Sequence, residues 1–159
     1  YPAVVKSCDG HGGTEVFFIR NETEWVRWKE HHIIQNDQTA KQYVIQQAAS
    51  SAGKDVRIYV VGSKIKAVVL RTSQTDFRSN YCLGGTAQMY ELSGEERELA
   101  ERVTEGLSIG MAGIDFVFHK GQMMFNEIED VAGARALYSL TAYDIVDDYV
   151  DYIHKSCGG

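Results

Sequence analysis

Apolar and β-branched residues along this chain cluster in short runs separated by glycine-rich or polar segments, which predicts mainly short strands. The runs at 1–6 and 14–19 predict a hairpin with a long glycine-rich tip. Two further hairpins are predicted where Gly62–Ser63 and Lys120–Gly121 interrupt apolar runs. Beyond the first hairpin, strands are predicted at 43–48, 55–61, 64–71, 113–119 and 123–129.

Three segments have the spacing of helices. Residues 21–32 predict a helix with Asn21 or Thr23 as its N-cap. The Ser93–Glu96 segment is a capping box that opens a second helix. Thr141 is predicted to cap a terminal helix. The first helix has an aromatic face formed by Trp25, Trp28 and His32.

The order of these elements predicts an α+β fold with mainly antiparallel strands in two lobes. The lobes are predicted to divide near residue 45, so that 1–45 contains the glycine-rich loop and 46–159 contains the remaining hairpins. The polar segment at 72–87 is predicted to be a loop within the second lobe.

Composition narrows the class of protein. The chain has 159 residues and a mass of 17.8 kDa, the size of one domain, and 44% of its residues are hydrophobic. No apolar run approaches the roughly 20 residues of a membrane span. A net charge of −6 and a pI near 5.3 argue against binding to a nucleic-acid backbone. We therefore expect a cytoplasmic protein that binds neither nucleic acid nor membranes.

The cysteines and the chain start give two further expectations. Cys8, Cys82 and Cys157 are widely spaced with no CxxC pair, which argues against a disulfide scaffold or a structural zinc site. The chain begins at Tyr1, without an initiator methionine, and enters strand-like sequence at once. We therefore interpret it as a fragment of a longer protein.

The glycine-rich loop is the first candidate site. Lys6 precedes Gly10, Gly12 and Gly13, and glycines allow backbone N–H groups to wrap an anion while the lysine adds positive charge. The pattern is not a P-loop, because no GK[ST] is present and a strand follows. The loop is predicted to be either a phosphate lid or a flexible hairpin tip.

Three carboxylates form the second candidate site. Glu127 and Glu129 are two apart on one predicted strand and therefore share a face, and Asp115 lies on the partner strand. A strict two-residue turn would pair Asp115 with Asn126, whereas a bulge would place Asp115 opposite Glu127. Hard oxygen ligands on neighbouring strands suit Mg²⁺. The alternative is a solvated acidic edge.

The polar segment from Arg71 to Asn80, followed by Gly84–Gly85, is the third candidate. The guanidinium groups of Arg71 and Arg78, with Asn80, could clamp a phosphoryl group, because such groups fit oxyanions. The alternative is an ordinary polar loop. A phosphate loop, an anion clamp and metal carboxylates in this order favour a nucleotide site.

These motifs resemble the nucleotide-binding part of the RimK-type carboxylate–amine ligases of the ATP-grasp superfamily. The resemblance covers nearly the whole chain. Its most specific segments are Gly53–Gly62, Asp76–Asn80 with Gly84–Gly85, and Ala112–Asp115. It implies an ATP-grasp fold, and we expect that the family's preceding N-terminal domain is not part of this chain.

The resemblance also implies roles for individual residues. Lys6 and the glycine loop would bind the ATP phosphates, and Asp55 would lie near the ribose or adenine. Arg78 and Asn80 would be catalytic and would contact the phosphates. The implied ATP-binding set is Lys6, Gly10, Gly12, Gly13, Gln46, Gln47, Ala48, Asp55, Arg78, Ser79 and Asn80.

The implied metal ligands are Asp115, Glu127 and Glu129, for two Mg²⁺ ions or Mn²⁺. This chain departs from the family at Glu129, where asparagine is usual, and at Gln47, where glutamate is usual near adenine. Arg135, in the altered segment after the metal strand, is a further candidate for contact with substrate or phosphate.

The implied reaction joins a carboxylate to an amine at the expense of ATP, through an acylphosphate. The carboxylate and amine partners would be an amino acid, a peptide or a protein C-terminus, and the full-length form could be a homo-oligomer. We expect the fragment alone to be inactive or incomplete. The alternatives are a degenerate nucleotide-binding module without ligase turnover, and a docking module that uses its acidic edge.

Overall fold

The computed structural model describes residues 1–10, 15–34, 41–79, 84–107, 109–130 and 132–158. The chain forms two compact units, Tyr1–Ala52 and Gly53–Gly159. This boundary lies seven residues after the predicted division at residue 45, because the third strand pairs with the first and completes the sheet of unit 1. No helix among the described residues has both the length and the apolar character required to cross a bilayer.

In its described residues, unit 1 is a three-stranded antiparallel sheet with one α-helix. Its strands have the order β2-β1-β3, so β1 is central and β3 is an edge strand. A π-helical turn extends the helix before the chain reaches β3. The elements are β1 (Ala3–Ser7), β2 (Val16–Ile19), α1 (Glu22–Lys29), the π-helical turn (Glu30–Ile34) and β3 (Tyr43–Gln47).

The predicted cap and aromatic face of α1 are confirmed. The Asn21 side chain accepts a hydrogen bond of 3.0 Å from the backbone N–H of Glu24, so Asn21 rather than Thr23 is the N-cap. Trp28 is buried and lies between the rings of Trp25 and His32, with centroid distances of 5.4 and 4.9 Å. The aromatic face therefore forms part of the core of unit 1.

Unit 2 is a five-stranded antiparallel sheet of order β6-β5-β4-β7-β8, in which β4 is central. Three helices accompany the sheet in the part of unit 2 that the structure describes. Its strands are β4 (Lys54–Val61), β5 (Lys64–Thr72), β6 (Thr86–Met89), β7 (Met111–His119) and β8 (Gln122–Glu129). Its helices are α2 (Gly94–Thr104), α3 (Arg135–Tyr138) and α4 (Ile145–Cys157).

Both faces of β4 are buried, because the sheet of unit 2 has a core on each side. Ile58 belongs to the core that includes Ala100 of α2. Tyr59 belongs to the opposite core, which includes Leu137 of α3 and Ile145 of α4. A charged side chain on β4 therefore has little water around it and requires a partner inside the protein.

Two details of unit 2 differ from the expectations or refine them, and a third expectation is confirmed. The predicted loop at 72–87 ends in β6, which pairs with β5. Thr141 does not cap the terminal helix; its N-cap is Asp144, whose carboxylate accepts a 2.9 Å hydrogen bond from the N–H of Val146. The predicted capping box of Ser93 and Glu96 is present at the start of α2.

Candidate active site

A bulge in the β7–β8 hairpin brings the predicted metal ligands together. Phe116 pairs with Phe125, but the next pair is Asp115 with Glu127, so Asn126 is the extra residue. Gly113 is then opposite Glu129. The bulged register, rather than the strict two-residue one, places Asp115 and both glutamates on one face of the sheet.

The three carboxylates converge closely enough to share a cation. Asp115, Glu127 and Glu129 each offer an oxygen atom, and these oxygens all lie within 4.8 Å of one another. Asp115 is buried, Glu129 is half-buried and Glu127 is exposed, so the cluster opens towards solvent on the glutamate side. An all-oxygen donor set of this kind fits Mg²⁺ or Mn²⁺.

Arg57, on the central strand, holds two of these carboxylates. Its Nε donates a 2.7 Å hydrogen bond to Oδ1 of Asp115, and its Nη2 donates another of 2.7 Å to Oδ2. Asp115 is the residue directly opposite Arg57 in the pairing of β4 with β7. Nη2 also lies 2.8 Å from an Oε2 of Glu129. Gly113 leaves room for this side chain, since a Cβ there would lie 3.3 Å from Nε of Arg57.

Arg71, on β5, extends the same network to a fourth carboxylate. It donates two hydrogen bonds of 2.7 and 2.6 Å to Asp55 and one of 2.7 Å to Asp115. Because Arg71 bridges the two aspartates, the charges form one continuous chain. We call Asp55–Arg71–Asp115–Arg57–Glu129 the ion-pair ladder.

The ladder sets the protonation behaviour of Asp115. Burial alone would raise the pKa of Asp115, but the hydrogen bonds and charges of Arg57 and Arg71 outweigh burial and hold this pKa below its usual value. Burial raises the pKa of Asp55, which has one guanidinium partner rather than two. Asp115 is therefore the member of the ladder best prepared to be an anionic ligand at neutral pH.

The structure shows the surroundings of two ladder residues for which roles were predicted from the sequence. Arg71 was predicted to clamp an anion from a polar loop, but it lies on β5, is 5% exposed and is bonded to Asp55 and Asp115. Both carboxylate oxygens of Asp55 accept hydrogen bonds from Arg71, and its position near ribose or adenine remains a prediction.

The segment after β5 carries the predicted phosphate contacts. Arg78 donates to the carboxylate of Asp76, with a shortest distance of 2.6 Å. Ser79 is buried and its side chain hydrogen-bonds the carboxylate of Asp55, which ties this segment to the ladder. Asn80, the second predicted catalytic residue, lies outside the described residues.

Gly53 fixes the path of this segment. Its N–H donates a 2.7 Å hydrogen bond to the carbonyl of Phe77, and its own carbonyl accepts one of 2.7 Å from Ser73. Gly53 has a φ of +71°, and a Cβ there would lie only 2.5 Å from the carbonyl oxygen of Ser73. A glycine is required at this position for both reasons.

The predicted ATP-binding residues of unit 1 lie on β1, the adjoining loop and β3. Lys6 is a half-buried residue of central strand β1 and pairs with Val16 and Val44. Gly10 is exposed just beyond this strand, whereas Gly12 and Gly13 lie outside the described residues.

Three further residues of the implied ATP-binding set lie at the edge of the same sheet. Gln46 and Gln47 end the edge strand β3, and Ala48 is buried, with its N–H donating to the carbonyl of Pro2. In unit 2, Arg135 is exposed at the start of α3.

Arg57 is the site residue that the sequence analysis missed. A signal for it was available, because Asp55 and Arg57 stand two apart in an otherwise apolar run. Charged residues in a buried strand must be paired with charges on its neighbours. Identifying Asp115 as the partner, however, requires the register between β4 and β7.

Comparison with known proteins identifies a family whose profile matches nearly the whole chain. The sequence profile of the RimK-like ATP-grasp domain matches residues 1–153. A probable alpha-L-glutamate ligase of Cellvibrio japonicus is 31% identical over 157 residues, which cover 98% of this chain and 51% of the relative. The chain spans only about half or less of the curated relatives it matches, between 38% and 51% for three of them.

Solved structures share the fold. A RimK domain ATP-grasp protein of Sphaerobacter thermophilus is 21% identical with a TM-score of 0.65, over 98% of this chain and 52% of that one. The ATP-grasp ligase PsnB, in complex with minimal precursor, Mg and ADP, is 16% identical with a TM-score of 0.59, over 95% of this chain and 46% of its own. The predicted α+β ATP-grasp fold is thereby confirmed.

Proposed function

This chain belongs to the RimK-like ATP-grasp family, and from that premise we propose that it is the nucleotide-binding part of an ATP- and Mg²⁺-dependent carboxylate–amine ligase. The observation that carries the proposal is the convergence of three carboxylate oxygens within 4.8 Å beside two buried arginines. A solvated acidic edge would need neither the bulge that aligns Asp115 with Glu127 nor the guanidinium groups behind them.

The residues in place fit a divalent cation. Asp115, Glu127 and Glu129 would hold it, and when bound it would screen the negative charge of the ATP phosphates. Glu129 supplies an oxygen ligand where the family has asparagine. Its additional negative charge is offset by Arg57, 2.8 Å away, so the departure from the family is compatible with nucleotide binding.

The proposed reaction has two steps. A substrate carboxylate oxygen bonds to the γ-phosphorus of ATP as the bond to the bridging oxygen breaks, giving an acylphosphate and ADP. The amine nitrogen then bonds to the acyl carbon, inorganic phosphate leaves, and the amine loses a proton to solvent. No protein nucleophile takes part, so the contribution of the chain is positioning and charge neutralisation.

Named residues have defined tasks in this proposal. Lys6 and the loop at Gly10 would bind phosphate oxygens, and Arg78 would neutralise charge on the transferred phosphoryl group. Asp55 would act through Ser79 and Arg71 rather than by direct contact with the nucleotide. Because the relative from Cellvibrio japonicus is a probable alpha-L-glutamate ligase, glutamate is the first amine to test, with peptides and protein C-termini as further acceptors.

The first experiment is calorimetric titration of ATP into the full 159-residue chain with Mg²⁺ and, separately, with EDTA. We expect binding with Mg²⁺ and at least about tenfold weaker binding with EDTA, since the carboxylates would repel the phosphates without a cation. The Asp115→Asn variant should lose the dependence on metal. Absence of binding, or equal binding in both buffers, would contradict the proposed site.

A second experiment separates a ligase from a degenerate nucleotide binder. The chain is incubated with Mg-ATP, candidate carboxylates and hydroxylamine, which traps acylphosphates as hydroxamates. Hydroxamate and ADP formed together, and only with a carboxylate present, support ligase chemistry. Metal-dependent ATP binding without any hydroxamate would instead favour a nucleotide-binding fragment or a degenerate module, neither of which turns over.

A further inference from the structure

Arg57 occupies the position of a cation in the carboxylate cluster. Its guanidinium contacts Asp115 through two hydrogen bonds of 2.7 Å and Glu129 at 2.8 Å. Those are two of the three carboxylates proposed to hold the metal. Its side chain is 8% exposed, so water screens the attraction only weakly.

The formal charges of the cluster match a single divalent cation. Four carboxylates and two guanidinium groups leave two negative charges in the set. Without Arg57, the same set would have three negative charges. Two of these would lie on Asp115 and Glu129, the carboxylates that Arg57 now contacts. The set comprises Asp55, Asp115, Glu127, Glu129, Arg57 and Arg71.

We propose that Arg57 is a specificity-determining residue that suppresses the binding of free divalent cations, so that the metal enters with the nucleotide phosphates. A bare cation must compete with the guanidinium for Asp115 and Glu129. A cation that arrives on a triphosphate brings phosphate oxygens as ligands and depends less on those two carboxylates. The inference rests on the proposed function, because it assumes that the cluster holds a metal.

The same contact explains how glutamate is tolerated at position 129. A third carboxylate strengthens attraction for any divalent cation and repels the triphosphate. The positive charge of Arg57, in direct contact with Glu129, opposes both effects. The pair Arg57–Glu129 thereby keeps an oxygen ligand at position 129 without converting the cluster into a site for free metal.

The test is titration of Mn²⁺ into the full chain, with free Mn²⁺ measured by electron paramagnetic resonance, without nucleotide and with ATP. We expect Arg57→Gln to bind Mn²⁺ alone about tenfold or more tightly than the original chain, because a positive charge in contact with the ligands is removed. Arg57→Lys, which keeps a positive charge beside the carboxylates, should bind Mn²⁺ alone less tightly than Arg57→Gln.

A matched control removes an arginine elsewhere in the same unit. Arg97 lies on α2 and pairs at 4.0 Å with Glu101, both well exposed. Arg97→Gln should leave Mn²⁺ affinity unchanged. Equal Mn²⁺ affinity of the original chain and Arg57→Gln would overturn the inference, whereas failure of the original chain to bind Mn²⁺-ATP would overturn the proposed function instead.

A measurement on the original chain keeps the inference testable if Arg57→Gln does not fold. The Nε–H signal of Arg57 is followed by nuclear magnetic resonance and assigned by its loss in Arg57→Lys. Millimolar Mg²⁺ alone should leave this signal in place, and Mg-ATP should shift it. A shift of equal size with Mg²⁺ alone would show that Arg57 does not exclude the free cation.

Discussion

At the scale of single residues, the main feature is a set of charges buried inside a sheet. Arg71 contacts Asp55 and Asp115, and all three are less than 9% exposed. Taking ions out of water costs free energy that their mutual attraction offsets only if the geometry is good. Such a network is therefore weak evidence for stability in itself and strong evidence that these carboxylates must be held in place.

Loss of Arg71 should destabilise the chain severely. Arg71→Met leaves Asp55 without its guanidinium partner and deprives Asp115 of one of two, so the free energy of unfolding should fall by about 3–5 kcal/mol. Urea denaturation followed by circular dichroism measures the change.

The matched control for Arg71 is Arg97→Met, at an exposed helix pair, which should change stability by no more than about 0.5 kcal/mol. If the two variants were equally stable, the ladder would not be a buried network in solution.

At the scale of elements, two backbone features bring the site together. The bulge at Asn126 aligns Asp115 with Glu127, and without it every side chain of β8 beyond this point would face the opposite side. The backbone hydrogen bonds of Gly53 to Ser73 and Phe77 determine the position of the segment that contains Arg78 and Ser79. Neither feature contributes a side chain to the chemistry.

The Gly53→Ala variant tests whether glycine is needed at position 53 only for its positive φ or also because the backbone of Ser73 and Asp76 lies close to it. Its Cβ would overlap the carbonyl oxygens of Ser73 and Asp76, at 2.5 and 2.7 Å, in addition to the strain of a φ of +71°. Gly121→Ala is the matched control, since φ is +81° there and a Cβ meets nothing within 4 Å.

We expect Gly121→Ala to cost about 1 kcal/mol and Gly53→Ala at least about 1 kcal/mol more in thermal or urea unfolding. Only Gly53→Ala should weaken ATP binding, because it displaces the segment of Arg78 and Ser79. Equal effects of the two substitutions on ATP affinity would show that the hydrogen bonds of Gly53 do not position Arg78 and Ser79 for ATP binding.

At the scale of the whole molecule, the chain is two units, each with its own core. The core of unit 1 includes Val5, Ile19 and Trp28. Unit 2 has cores on both faces of its sheet. The carboxylate cluster and the ion-pair ladder lie within unit 2, and the predicted phosphate-binding lysine, Lys6, lies in unit 1.

Lys6→Ala tests the contribution of unit 1. Because Lys6 is only half-buried, its loss should leave the urea midpoint nearly unchanged and weaken Mg-ATP binding by about tenfold or more in calorimetry. Lys29→Ala removes the same charge from α1 of the same unit and should leave ATP affinity unaltered. An unchanged affinity for Lys6→Ala would remove this residue from the site.

Local sequence rules determined most of the fold. The strands at 55–61, 64–71 and 113–119, the capping box at Ser93 and the cap at Asn21 all lie where the pattern predicted them. These features depend on side-chain alternation and on hydrogen bonds between residues close in sequence. Both can be recognised without knowledge of the rest of the chain. The short strand β6 has no comparable alternation and depends on pairing with β5.

The candidate site was predicted from sequence only in part. The three carboxylates were identified because residues two apart on a strand share a face, but two registers were left open, and tertiary structure selected the bulged one. The sequence by itself determined which residue types are present and how they alternate. Only tertiary structure decided that Arg57 and Arg71 face Asp115, because contacts between residues 44 and 58 positions apart depend on strand order and register rather than on local pattern.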